Sequence, residues 1–201
     1  MKEPSETDEE LLETARQAQE GDYRAFERLV RRYQKKVIAN CRYLTRNAAS
    51  AEDLAQEVFV RVFFAMGRFE GRSSVHTWVQ RIKVNHCLNF LKKEGGKTFL
   101  NVDDDKVMNS RELALEPIAE KVVMNRGERE RVAAILDAMS DSLRIPLLMR
   151  DLDQLSYQEV AEALGIGLSA VKMRIKRGRE EFRRRYRELS GGMGPRVAAK
   201  S

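Results

Sequence analysis

The chain has 201 residues, 42% hydrophobic and 34% charged, with a net charge of +6. That length allows one or two small domains, and so much charge with few long apolar stretches favours small helical bundles over one large core. No run approaches the roughly 20 apolar residues of a membrane span, and the start MKEPSETDEELLE is acidic and polar, unlike a secretory signal.

Strand signals are nearly absent and helical periodicity is widespread, so the expected class is all-α. The first helix is expected after Thr7 or Asp8, with Leu11, Leu12, Ala15 and Ala18 inward. Gly21 breaks it, and Asp22 can cap the next helix. In that second helix Phe26, Val30, Tyr33, Val37, Cys41 and Leu44 alternate at spacings of three and four, one continuous apolar stripe. Ser50 to Asp53 reads as a variant capping box opening a third helix, on which Leu54, Val58, Phe59, Val62, Phe63 and Met66 make a wide apolar face. A loop over 69–74 precedes a fourth helix over 75–93, with Val75, Trp78, Val79, Ile82 and Leu91 inward. Cys41 and Cys87 lie far apart without metal-ligand or CxxC spacing, and are expected as buried, reduced thiols of a cytoplasmic chain.

Residues 1–94 thus form a first small helical domain. Residues 95–125 hold Gly95-Gly96, Asp103-Asp104-Asp105 and Pro117, and read as a flexible acidic linker. A second domain over 126–189 has helices expected at 128–139, 144–151, 156–164 and 169–187, and 190–201 reads as a disordered tail.

The sharpest local signal lies in 156–187. Ser156 and Glu159 form a capping box, and Tyr157, Val160, Ala161 and Leu164 share one face of a short helix. Gly165 is a left-handed stop, Ile166 can plug the turn, and Ser169 is expected to cap the next helix. Val171, Ile175, Gly178 and Phe182 are that helix's inward stripe, the glycine permitting close packing. Over 169–187 nine basic residues stand against two glutamates, a net +7 that exceeds the +6 of the whole chain. Positive charge is therefore dense along the second helix of a helix-turn-helix, which suits a groove walled by phosphates.

The segments LSYQEVAEALG over 155–165 and VKMRIKRGRE over 171–180 resemble region 4 of bacterial sigma factors. AEDLAQEVF over 51–59 resembles region 2.2, and FEGRSSVHTWVQRI over 69–82 resembles regions 2.3 and 2.4. Together, in this order and with a short linker, they make the chain similar to an extracytoplasmic-function sigma factor, the minimal two-domain group of the sigma-70 family. The resemblance covers 8–94 and 126–188.

It implies that the first domain binds the clamp coiled coil of core RNA polymerase and melts the −10 promoter element, and that the second binds the polymerase flap and the −35 element. The matching −35 positions are Arg150, Lys172, Met173, Lys176 and Arg177, and Ser169, Arg174 and Arg179 of the basic helix are expected to contact the same element. Those for the −10 element are Phe69, Arg72, Ser73, Ser74, His76, Thr77, Trp78, Arg81, Lys83 and Asn85. Asp53, Gln56 and Glu57 match the clamp-binding positions. It also implies an anti-sigma partner covering the polymerase-facing surfaces. Helical periodicity by itself puts Trp78 in the core.

Without the resemblance, a stand-alone helix-turn-helix regulator binding palindromic sites as a homodimer would also fit. A nucleic-acid enzyme fits poorly, since the sequence offers no nucleophile motif, glycine-rich phosphate loop or metal-ligand cluster. No cofactor is expected.

Overall fold

Residues 6–94 and 126–189 are described by the computed structural model, and their regular elements are all helical. They belong to two separate units that divide after residue 94. The expected linker and tail lie outside the described residues.

The first unit holds α1 (Asp8–Gln17), α2 (Arg24–Thr45), α3 (Ala51–Ala65) and α4 (Val75–Lys93), with a short 3-10 turn, Met66–Arg68, after α3. Thr7 opens α1 with a reciprocal capping box: its Oγ1 accepts from Glu10 N at 3.1 Å, and Glu10 Oε2 accepts from Thr7 N at 2.7 Å. The Asp8 carboxylate ties α1 to α2, accepting from the Tyr33 hydroxyl and the Arg32 guanidinium.

Two expected caps take other forms. α2 starts after Tyr23, so Asp22 stands one residue too early to cap it, and its Oδ1 accepts instead from Arg24 N at 3.2 Å. Ser50 does precede α3, but its backbone is already helical (φ −90°, ψ −3°) and its hydroxyl makes no cap bond. Side-chain capping needs an extended residue at this position. Ser74 is extended (φ −62°, ψ 154°), and its hydroxyl accepts from Thr77 N at 3.1 Å to start α4.

The core of this unit comes from Leu11 and Leu12 of α1, Leu29, Val37, Cys41 and Leu44 of α2, Leu54, Val58 and Val62 of α3, and Val75, Val79, Val84, Cys87 and Leu88 of α4. The inward side of α4 is wider than its apolar stripe and rotated from it. Gln80, Lys83 and His86 are buried, while Trp78, Ile82 and Leu91 are half-buried. α4 packs against α1, α2 and α3 together, so neighbours cover an arc that hydrophobicity alone does not mark.

The second unit is built from α5 (Arg126–Ala138), α6 (Asp141–Asp151), α7 (Tyr157–Leu164) and α8 (Leu168–Leu189), with α8 packed on the other three. α6 begins three residues before its expected start and retains a buried Pro146. The Ser156–Glu159 capping box forms as expected, with Glu159 N donating to Ser156 Oγ at 3.2 Å and Ser156 N to Glu159 Oε2 at 2.5 Å. Gly165 at φ +66° ends α7, its N–H donating to Ala161 O, a left-handed stop that suits a residue without Cβ. α8 starts at Leu168, so Ser169 lies inside its first turn rather than capping it.

Val171, Ile175, Gly178 and Phe182 are buried on the inward side of α8, as the pattern requires. At Gly178 a Cβ would stand 3.0 Å from the Leu143 carbonyl oxygen and 3.3 Å from Leu147 Cβ. The missing side chain is what lets α8 approach α6 this closely.

Candidate nucleic-acid interface

The turn at Gly165 hands the chain from α7 to α8 so that the first turns of α8 present their polar side outward. There Lys172 and Arg177 are exposed, Met173, Arg174 and Lys176 are half-buried, and Ser169 is exposed. With Val171 and Ile175 fully buried opposite them, this is a basic face held rigidly by an apolar one. Further along, the charge is answered within the helix: Arg185 pairs with Glu181 and Arg184 with Glu188, both at 2.8 Å.

Arg179 does not belong to the outward face. It is 6% exposed and makes a two-bonded ion pair with Asp151 of α6, Nη2 to Oδ1 at 2.5 Å and Nε to Oδ2 at 3.0 Å. The Asp151 carboxylate raises the Arg179 pKa above its ordinary value, with a smaller contribution from Tyr157. The reason is positional: residue 179 follows Gly178 and stands one turn after Ile175, beside the inward stripe. Its expected DNA contact is corrected to a structural role.

Arg150, by contrast, comes to the surface beside α8. Its Nη1 donates to Leu155 O at 2.9 Å, and its guanidinium lies over the Tyr157 ring, 4.9 Å from the centroid. The Lys172 ammonium is 6.0 Å from the same centroid. Tyr157 thus links two cations from α6 and α8 through its π face. The sequence pattern assigned Tyr157 to the apolar side of α7, and its half-buried ring is the residue that reading missed.

In the first unit, Phe69 and Trp78 are brought together, with ring centroids 5.0 Å apart and both rings half-buried. Trp78 is therefore not a core residue, contrary to its periodicity. Around the pair, the hydroxyls are already engaged locally: Ser74 donates to Thr77 Oγ1 at 3.1 Å, and Ser73 donates to Ser74 O at 3.4 Å. Arg72, Arg81 and Asn85 are exposed, Arg72 in an ion pair with Glu70. The His76 ring is half-buried, 5.8 Å from that of Tyr33. Lys83 is 0% exposed. It sits one turn from both Val79 and Cys87 on the inward arc of α4, so its expected DNA contact is also corrected.

Asp53, Gln56 and Glu57 are exposed together on α3, one turn apart, the arrangement a polar docking edge needs. Glu57 Oε2 lies 3.0 Å from His86 Nε2. Burial, then the nearby Arg61 cation, push the His86 imidazole below its ordinary pKa, against the pull of Glu57. Beside this edge runs an apolar groove of about 680 Å³ between α2 and α3, lined by Tyr23, Phe26, Val30, Phe59, Phe63 and Phe64 among others. Phe64 is 78% exposed and Val60 54%. Sequence reasoning placed Phe59 and Phe63 on an inward face, but α3 is apolar over a wider arc than a single bundle can cover.

Among the described residues no group of His, Cys, Asp or Glu could hold a metal ion, and no helix is long and apolar enough to cross a membrane.

Two family models match the chain: Sigma-70 region 2 over residues 29–96, and Sigma-70, region 4 over residues 129–182. The RNA polymerase sigma-H factor of Pseudomonas aeruginosa is 31% identical over 179 residues, which is 87% of this chain and 91% of that protein. The ECF RNA polymerase sigma-E factor of Escherichia coli K12 is 32% identical over 189 residues, covering 91% of this chain and 96% of that protein. The fold is also similar to CnrH, solved in complex with the cytosolic domain of CnrY (TM-score 0.56, 22% identity, 91% of this chain and 97% of that one). It is similar again to the sigma factor RpoE of Bartonella quintana, solved with the anti-sigma factor NepR (TM-score 0.56, 21% identity, 83% and 96%).

Proposed function

The chain belongs to the extracytoplasmic-function sigma factors of the sigma-70 family, and from that premise we propose how its two units divide promoter recognition. The protein is an alternative sigma factor, which binds core RNA polymerase and directs it to promoter DNA to initiate transcription.

In the proposed division, α8 enters the major groove of the −35 element. Lys172, Met173, Arg174, Lys176 and Arg177 face base edges and adjacent phosphates, with Arg150 and Ser169 on the backbone. A lysine or arginine donating to guanine O6 and N7 discriminates by roughly 1–3 kcal/mol per contact. The observation that carries this reading is the basic outward face of α8, backed by Val171 and Ile175.

The first unit takes the −10 element. The Phe69–Trp78 pair offers a stacking surface for an unstacked base, and Arg72, His76, Arg81 and Asn85 offer charge and hydrogen bonds to the opened strand, with Ser73, Ser74 and Thr77 shaping the loop. Asp53, Gln56 and Glu57 meet the polymerase clamp coiled coil, and the second unit meets the flap. An anti-sigma factor competes for the α2–α3 groove, where Phe64 and Val60 offer apolar anchors that a helix could cover. The protein works in the cytoplasm, without a cofactor and without bond-making chemistry of its own.

The test is transcription in vitro with purified core polymerase and a candidate promoter. Start-site-specific transcripts dependent on this chain are expected. Failure to bind polymerase, combined with tight binding of a homodimer to palindromic duplex, would overturn the reading in favour of a stand-alone regulator.

A further inference from the structure

We propose that Cys41 and Cys87 form a modification site, an oxidisable dithiol that a small peroxide closes into an internal disulfide joining α2 to α4. The two thiols come from positions 46 residues apart, yet Cys87 Sγ donates to Cys41 Sγ at 3.6 Å. Both are 0% exposed. A disulfide needs the sulfurs to close to about 2.05 Å, an approach of about 1.5 Å from their present separation.

Cys87 shares its face of α4 with polar side chains. His76, Gln80, Lys83 and Cys87 follow one another at spacings of four, three and four, so they lie along one face of α4. His76, at the outer end of this strip, is half-buried. Gln80 is 0% exposed, and neither its Nε2 nor its Oε1 has a hydrogen-bond partner. An unsatisfied buried amide favours entry of a small hydrogen-bonding molecule, and hydrogen peroxide is one. Lys83, also 0% exposed, stands one turn before Cys87 on this face.

The chemistry balances with peroxide as the oxidant. One thiolate attacks a peroxide oxygen, the O–O bond breaks, and the released hydroxide takes a proton to leave as water. The sulfenic acid that results is attacked by the second sulfur, its oxygen leaves as a second water, and the S–S bond forms. The two thiols lose two electrons in all, and hydrogen peroxide is reduced to two waters.

The experiment treats the folded full chain with hydrogen peroxide and reads intact mass and non-reducing tryptic peptides. The expected product is a monomer lighter by two hydrogens with a Cys41–Cys87 linked peptide, reversed by dithiothreitol and absent from Cys41→Ser and Cys87→Ser. Gln80→Leu, which seals the polar strip with an apolar side chain, should slow the crosslink several-fold. Oxygen additions without the crosslink, a disulfide between two chains, or thiols that stay unmodified under conditions that oxidise the urea-unfolded chain would each overturn the proposal. An unchanged rate in Gln80→Leu would overturn the strip as the oxidant's path.

Discussion

Arg179 of α8 and Asp151 of α6 are joined by two hydrogen-bonded contacts of 2.5 and 3.0 Å while each is at most 6% exposed. An arginine on a strongly basic helix thus serves to clamp that helix to its neighbour. Breaking a buried pair strands a charge in the interior, at a cost of about 3–5 kcal/mol. Asp151→Ala should therefore lower the unfolding free energy of the second unit by about that amount in urea titration. Asp151→Leu combined with Arg179→Met, which removes both charges, should recover most of the loss. DNA affinity of the double variant should match wild type, whereas a large affinity loss in a fully folded protein would return Arg179 to the DNA contacts.

Gly178 sets the spacing between α6 and α8. Alanine there gains helix propensity of about 1 kcal/mol, but the added Cβ meets a backbone oxygen at 3.0 Å, which a helix cannot move without shifting. Overpacking typically costs about 1–3 kcal/mol, so Gly178→Ala should destabilise by about 1 kcal/mol net and Gly178→Leu by more. Thermal unfolding of both variants measures it, and a stabilised Gly178→Ala would contradict the packing argument.

Basic residues of α8 should separate into two groups. Lys172→Ala and Arg177→Ala are expected to weaken binding of the polymerase holoenzyme to a −35 duplex about tenfold each, within the roughly 1–3 kcal/mol of a base contact. Arg184→Ala, whose guanidinium pairs with Glu188 at 2.8 Å, should change it little. Equal losses at all three positions would mean that bulk charge, not the outward face of the early turns, supports binding. The thermal midpoints should stay near wild type in all three.

His86 makes the first unit acid-sensitive. Its imidazole is held below the ordinary value, first by burial and then by Arg61, with Lys93 adding to the effect and Glu57 opposing it. A base that is harder to protonate folded than unfolded stabilises fully above its unfolded pKa of about 6.5 and loses that contribution as pH falls below it towards the folded pKa. The thermal midpoint should drop between pH 7.5 and 5.5, and His86→Gln should flatten that part of the profile. An identical slope in the variant would place the acid sensitivity elsewhere.

Much of this molecule is legible in its residues, for identifiable reasons. Thr7 with Glu10 and Ser156 with Glu159 close capping boxes that involve neighbours three positions apart, so local chemistry decides them. Ser50 fails the same test because its backbone conformation, which depends on how the chain arrives from α2, is already helical. The exposed basic face of α8 was readable at Lys172 and Arg177, which stand opposite a clear apolar stripe. Lys83 and Trp78 were not, because α4 is surrounded by three helices and its buried arc exceeds what its apolar residues outline.

The sequence by itself determined that the regular structure is helical, that the chain divides into two units, and that the second helix of its helix-turn-helix is strongly basic. These follow from periodicity, caps and counts, all properties of neighbours within a few residues. Only the tertiary structure decided that Arg179 turns to Asp151, that Lys83 is enclosed, that Tyr157 gathers Arg150 and Lys172, and that Cys41 meets Cys87. Each joins residues from different helices, or asks how much of one helix the others cover. Partners 28 and 46 positions apart leave no periodic trace in the chain; they become neighbours only when apolar burial has stacked the helices.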